Sequence, residues 1–314
     1  FSHSRTFKPW PDAPNQAQIK MTVKAPVYLD YQATTPCDPQ ILQEMLPYFT
    51  HDKFGNASAT RNKKGRQAQT AIIKAKEQIS SLIGGTPEGF IFTSGATEAN
   101  NMALLGLANT NSGRNEILIS ALEHPSVTNC AKHLASKGVT VTTIPSTKHG
   151  FITAKALSSL ISDKTLLVSV MGANHEIGTI QPIKELTEIT HNAGSFFHCD
   201  ATQAVGKIPF NIDEMGIDLL SMSGHKFYGP QGIGALYARP TPPINMSPII
   251  FGGNQQNNRS GTIPLPLAVG LGKACDVAQE VMKEETKRLQ MLTGIFLGIL
   301  PVSYTHLTLP TTGV

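Results

Sequence analysis

The chain is poor in the residues that mark a disulfide-held, metal-held or nucleic-acid-binding protein. Its 314 residues include four cysteines, Cys37, Cys130, Cys199 and Cys275, scattered and without a CxxC pair. That spacing excludes a disulfide framework and a cysteine-built zinc site, and it suits a reducing compartment. The histidines are equally dispersed, so no metal site is expected. A formal net charge of +4 is too small to argue for nucleic acid as a partner. The densest basic run, Lys63-Lys64-Gly65-Arg66, reads as a solvated helix face. No apolar run reaches the length of a membrane span; the stretch at 292–300 reads as half of a packed helix. With 40% hydrophobic and 15% charged residues, the composition is that of an ordinary soluble globular protein. The length allows one large domain and part of another.

The first stretch carries Arg5, Lys8, Lys20 and Lys24 against one acid, Asp12. Such basic, acid-poor composition fits the remnant of an organelle transit peptide, so a mitochondrial location is the expectation. Pro9 and Pro11 argue against a clean amphipathic helix there.

What is present is alternation. Asp38-Pro39 opens a helix, Asp as cap and Pro at the first helical position, running to about residue 48. A longer helix at 66–83 stops at Gly84-Gly85. Short apolar strands follow at 90–93, 116–120, 139–144, 166–170, 195–198, 219–222 and 234–238. Helical patterns at 98–107, 126–136, 154–161 and 183–193 separate most of them, and 265–287 reads as a long helix. The fold class is α/β, a mostly parallel seven-stranded sheet covered by helices.

In such sheets ligands gather at the carboxyl ends of the strands. Four ends here carry chemistry. Ser94-Gly95-Ala96-Thr97-Glu98 offers helix-start N–H groups and hydroxyls to a phosphate, or else is a capping box with Thr97 as the cap. In Glu123-His124-Pro125, His124 can stack on a flat ring, move protons, or be structural. Asp200-Ala-Thr-Gln203 can hold a protonated pyridine nitrogen through Asp200 and a ring oxygen through Gln203, or be an Asx-type turn. Ser223-Gly-His225-Lys226 presents an amine able to form a Schiff base, with Ser223 and His225 free to hold phosphate. Together the four supply every part of a pyridoxal phosphate (PLP) site.

These residues resemble a family. Tyr28-Leu-Asp-Tyr-Gln-Ala-Thr-Thr-Pro36, Ser94-Gly-Ala-Thr-Glu98, Asn174-His-Glu-Ile-Gly178, Asp200-Ala-Thr-Gln203, Ser223-Gly-His-Lys-Phe-Tyr-Gly-Pro230 and Arg259-Ser-Gly-Thr262 look like the class V aminotransferase-like PLP enzymes. Within them the chain is most similar to cysteine desulfurases of the iron–sulfur assembly type, with selenocysteine lyases as the nearest rival. A non-catalytic PLP-binding or dimerising fragment is the reading from another class. The resemblance implies a fold-type I homodimer that turns L-cysteine into L-alanine and an enzyme persulfide, with an iron–sulfur scaffold and small accessory proteins as partners. It implies Lys226 as cofactor anchor and proton carrier, and His124 as the residue stacked on the ring. Asp200 falls on the pyridine nitrogen and Gln203 on the ring oxygen. The phosphate falls to Thr97, Ser223 and His225, with Thr262 reaching it from the second subunit, and Ser94, Gly95 and Ala96 are cofactor-binding beside Thr97. It divides the chain into an extension at 1–26, a large domain at 27–262 and the start of a small domain at 263–314.

The chain departs from that pattern in places. His175 stands where the family usually has a second asparagine, which touches cofactor and substrate. Phe54-Gly-Asn-Ala-Ser-Ala-Thr-Arg-Asn62 lacks the family's histidine, and Gly252-Gly-Asn-Gln-Gln-Asn-Asn-Arg259 lacks its Glu-Arg charge pattern. None of the four cysteines matches the family's nucleophile, and the downstream substrate-binding arginine has no counterpart. The expectation is therefore a cofactor-binding body without desulfurase turnover. Residues 302–314 break the preceding helical pattern and are expected to pack poorly.

Overall fold

The computed structural model describes residues 28–110 and 113–299. The expectations for 1–26 and for 302–314 lie outside the described residues. The chain divides into two units, residues 1–31 and 32–314. Of the first, Tyr28 and Tyr31 form an edge-on ring pair with centroids 5.5 Å apart. Everything below concerns the second.

Helix α1 (Pro39–Met45) starts where Asp38 accepts the Gln40 N–H at 2.7 Å, and a 3-10 turn over Leu46–Tyr48 ends it. Helix α2 (Lys63–Ile83) is capped by Asn62, which accepts the Gly65 N–H at 2.8 Å. It stops where Gly84 and Gly85 turn to positive φ, a conformation other residues rarely adopt. The rest alternates: β1 (Phe90–Thr93), α3 (Ala96–Ala108), β2 (Glu116–Ser120), α4 (Pro125–Ser136), β3 (Thr140–Ile144), α5 (Ala154–Ser158), β4 (Thr165–Ser169), α6 (Ile183–Asn192), β5 (Phe196–Asp200), α7 (Ile212–Met215), β6 (Leu219–Ser223), β7 (Gly234–Ala238) and α8 (Leu265–Ile299).

The strands form one sheet in the order β1-β7-β6-β5-β4-β2-β3. Only β7 runs antiparallel to its neighbours, so the other strands all end at one edge. The seven-stranded, mostly parallel sheet expected from the alternation is what forms. Continuous apolar runs in β4 and β6 are buried along their whole length, as strands covered on both faces must be. The Thr-rich β3 closes the edge and is partly exposed.

Alternation along the strands divides the core in two. Phe90, Phe92, Leu118, Val168, Phe197, Leu220 and Met222 face a layer built by α1, α2, α6 and α8. Ile91, Ile117, Ile119, Leu167, Leu219 and Leu236 face α3 and α4. The first half of α8 is part of this core through Ala268, Leu271, Ala274 and Cys275, whereas Leu289, Met291, Leu292, Ile295 and Phe296 further along are exposed. Helix α8 runs past residue 287 to Ile299, with no proline to stop it and with Gly294 and Gly298 carried inside it. Helix α5 is shorter than its periodicity suggested.

Candidate active site

Six parallel strands bring their carboxyl ends, and the residues singled out there, to one edge of the sheet. At the end of β1 the cap of α3 is Gly95, not Thr97. Glu98 reaches back to accept the Ser94 N–H at 2.7 Å, and the helix starts two residues earlier than a Thr97 cap would place it. The Ala96 and Thr97 N–H groups open the helix without carbonyl partners inside it. Gly95 sits at φ 153°, and a Cβ there would lie 3.6 Å from the Ser223 hydroxyl oxygen. A Cβ on Gly234 would fall 2.7 Å from the Gly95 Cα, so the turn after β1 meets the start of β7 across bare backbone.

Glu98 is also paired with Arg259, Nε to Oε1 at 2.8 Å, both largely shielded from solvent. Burial pushes the Glu98 carboxyl up, but the Arg259 and Ser94 contacts outweigh it and hold the pKa below the ordinary value. This pair ties the segment leading to Thr262 onto the β1–α3 turn. Thr262 itself is exposed and forms no hydrogen bond with the other singled-out residues.

After β2, His124 caps α4. Its Nδ1 accepts the Ser126 N–H at 3.1 Å, so the neutral ring carries its proton on Nε2. Burial lowers its pKa, Asp200 raises it, and His175 and Lys226 lower it further; the net shift is downward. The His175 ring stands edge-on to His124 with centroids 5.8 Å apart. A turn aims it there, since Asn174 Oδ1 accepts the N–H groups of Glu176 and Ile177 at 2.9 and 3.0 Å.

At the end of β5, Asp200 is buried. Its Oδ1 accepts the Thr202 N–H at 3.0 Å, so the Asx-type turn is real, and its Oδ2 accepts Asn100 Nδ2 at 2.7 Å. Asn100 also donates to Ser126 Oγ at 2.8 Å, linking Asp200 to the His124 loop. Gln203 Nε2 donates to the Gln32 carbonyl at 3.1 Å. Lys226 Nζ donates to that carbonyl at 2.9 Å and to the Ala33 carbonyl at 2.7 Å.

Lys226 follows β6 on a short loop held by a segment distant in sequence. Thr35 N–H and Oγ1 donate to the His225 carbonyl at 2.9 and 3.0 Å. Tyr228, at φ 64° in the left-handed region, donates its N–H to Thr35 Oγ1 at 2.8 Å. A non-glycine residue kept there signals a conformation imposed by its surroundings. Lys226 is within electrostatic reach of His124, His225 and Lys207, and lowers the pKa of each. Burial, with Lys226 adding to it, brings Lys207 down to about 8. Its amine also hydrogen-bonds Gln203 Oε1.

Sequence reasoning passed over Asn100, Lys207 and Glu123. Lys207 had a local signal, four residues after Gln203. Asn100 and the burial of Glu123 had none.

The four cysteines fit no nucleophilic role. Cys130, Cys199 and Cys275 are buried, and burial raises the thiol of Cys130 to about 11 and raises those of the other two as well. Cys37 is half-buried, and burial with Asp38 beside it raises its pKa as well. A thiolate is the reactive form, and none of these sites favours it.

Residues 27–298 match the model of the family described as aminotransferase class-V. The chain belongs to that family. Within it the chain is 46% identical over 275 residues to the cysteine desulfurase IscS of Rickettsia felis, covering 87% of this chain and 67% of that protein. Among solved structures it is similar to a NifS-like protein, with a TM-score of 0.81, 35% identity, and coverage of 86% of this chain and 75% of that one. It is also similar to SspA in complex with cysteine, with a TM-score of 0.76, 39% identity, and coverage of 79% and 72%. Class-V aminotransferases of this kind are PLP enzymes, and the site fits the group. A buried carboxylate suits the pyridinium end, while bare glycine backbone, an open helix start and a cluster of amines suit the phosphate end.

Proposed function

We propose that this chain is a PLP-dependent enzyme of the cysteine desulfurase type, which takes sulfur from L-cysteine and leaves L-alanine. The observation that carries this reading is the division of charge at the strand ends. Lys226, His225 and Lys207 stand together, and Asp200 lies buried within electrostatic reach of His124. A ligand with a phosphate at one end and a protonated ring nitrogen at the other matches that division.

Lys226 is the anchoring amine and carries a proton at the substrate carbon. Asp200, fixed by Asn100 and Thr202, holds the ring N–H. Gln203 donates to the ring oxygen. His124 would stack on the ring, with its proton kept on Nε2 by the Ser126 N–H that Nδ1 accepts. Ser94, Gly95, Ala96, Thr97, Ser223 and His225 receive the phosphate. His175 lines the substrate side. When bound, PLP supplies an electron sink that makes bonds at the substrate α-carbon labile. Thr262, exposed beside the Arg259–Glu98 pair, serves the site of a second copy in a homodimer. The sulfur-accepting thiol is none of the four cysteines, and iron–sulfur scaffold and accessory proteins are the proposed recipients.

The test is to load the purified chain with PLP, remove the excess, and record visible absorbance before and after L-cysteine. Retained yellow absorbance that L-cysteine perturbs, with PLP found on Lys226 by mass spectrometry after borohydride reduction, is the expected result. Absence of retained PLP would overturn it.

A further inference from the structure

Glu123 lies beside the site and has no role in the reading above. Its side chain is buried, 7% exposed. Oε1 accepts twice, from the Ser120 hydroxyl at 2.5 Å and from the Met171 N–H at 2.7 Å. Oε2 is buried and has no hydrogen-bond partner. An ionised oxygen in that position would forfeit its solvation without compensation, whereas an O–H there only lacks an acceptor. Two donors on Oε1 and none on Oε2 therefore place a proton on Oε2.

The surroundings agree. Asp200 and Cys199 on β5 face Glu123, and His124 follows it on its own segment. Burial pushes the Glu123 carboxyl up to about 8; the Ser120 and Met171 contacts oppose this, and the charge of Asp200 adds to it. The charge of Asp200 therefore makes a second negative charge on Glu123 costlier still. The other orphaned atom among the described residues, Asn100 Oδ1, belongs to the side chain that holds Asp200.

We propose that Glu123 is a positioning residue kept as the un-ionised acid, which braces the His124 loop to the β4 end and leaves Asp200 as the single negative charge at the ring-nitrogen end of the cofactor. This rests on the PLP reading for its purpose, but not for its chemistry. The proton, the Ser120 and Met171 contacts and the orphaned oxygen are properties of the protein without cofactor.

The test therefore begins on the cofactor-free full chain. Infrared spectroscopy should show the carbonyl stretch of an un-ionised carboxylic acid at pH 6.5, lost with a midpoint of about 8 and missing in Glu123→Gln. A wild-type spectrum without that band, or an unchanged band in Glu123→Gln, would sink the proposal while leaving PLP binding intact. If Glu123→Gln does not fold, the wild-type titration decides. No other carboxyl among the described residues has a buried oxygen without a partner.

The second readout is the ring-nitrogen NMR resonance of ¹⁵N-labelled PLP on the loaded protein. It should move with the same midpoint in the wild type and hold still in Glu123→Gln from pH 6.5 to 9. Equal movement in both would reduce Glu123 to a purely structural brace and refute the charge role.

Discussion

Buried acids at opposite edges of the sheet show how differently one fold treats a carboxyl. Asp218, just before β6, has a side chain only 1% exposed and is fully occupied. Arg239 grips Oδ1 through Nε at 2.9 Å and Nη2 at 2.7 Å, while Oδ2 accepts the Phe197 N–H at 2.8 Å and meets His191 Nε2 at 2.9 Å. It forms part of the wall of an open cavity of about 510 Å³, with His191, Asp213, Tyr237 and Arg239 around it. At the other edge, Glu123 keeps a spare buried oxygen and Asp200 leans on a neutral amide. The structural acid is bonded to charged and neutral donors on both oxygens; Glu123 leaves one oxygen unbonded, and the donors that Asp200 meets are neutral. The cavity thus sits at the satisfied edge, and the chemistry at the edge with capacity left over.

That contrast can be broken deliberately. Lys226→Ala should abolish covalent PLP capture and with it the absorbance change that L-cysteine produces, while the cofactor-free protein loses the two hydrogen bonds to the Gln32 and Ala33 carbonyls, about 1–3 kcal/mol together. Absorbance and calorimetry on one preparation separate the two effects. Asp218→Ala should do the reverse. Removing one partner of a buried ion pair costs about 3–5 kcal/mol, here seen in urea unfolding, with PLP binding retained by the folded fraction.

A smaller effect is expected from pH. His198 is buried between Ser169 and Ser221, hydrogen-bonded to both at 2.8 and 2.9 Å. Burial lowers its pKa to about 4, so the unfolded chain binds a proton that the folded one refuses between there and 6.5. Stability should fall as pH falls through that window. Glu123 acts with the opposite sign: the folded state holds its proton between 4.5 and about 8, so its contribution is lost as pH rises through that range. Urea titrations from pH 4 to 9 should show both slopes, each on the order of a few kcal/mol in total, and Glu123→Gln should remove only the second. The smallest predicted change is His175→Asn. Without the neighbouring imidazole the His124 pKa should rise, visible by NMR of the ring protons, with a change in the affinity of the PLP-loaded protein for L-cysteine of only about threefold to tenfold, the size of one hydrogen bond.

Much of the useful edge was legible in the sequence because each strand ends abruptly: apolar residues up to Met222 and then Ser-Gly-His-Lys, or Phe196-Phe197 and then an acid at Asp200. Period and punctuation located the elements for the same reason. What was hidden depended on residues far apart. Thr97 looked like a cap until Glu98 was seen bonding back to Ser94. Nothing near Glu123 announces the Met171 N–H, which is supplied 48 residues later. Antiparallel β7 follows from pairing, and pairing leaves no local mark.

The clasp between Thr35 and the lysine loop has a consequence in time. Its partners lie 190 residues apart. On a ribosome adding about 5–20 residues per second, the early segment must wait roughly 10–40 s before the loop it closes exists. The segment that completes the pocket is thus among the first parts of the described chain to be synthesised and among the last to find its place. A nascent chain stalled before β6 would carry most of the sheet and none of the lysine's grip. Acquisition of the cofactor is thereby postponed until synthesis has passed the lysine loop.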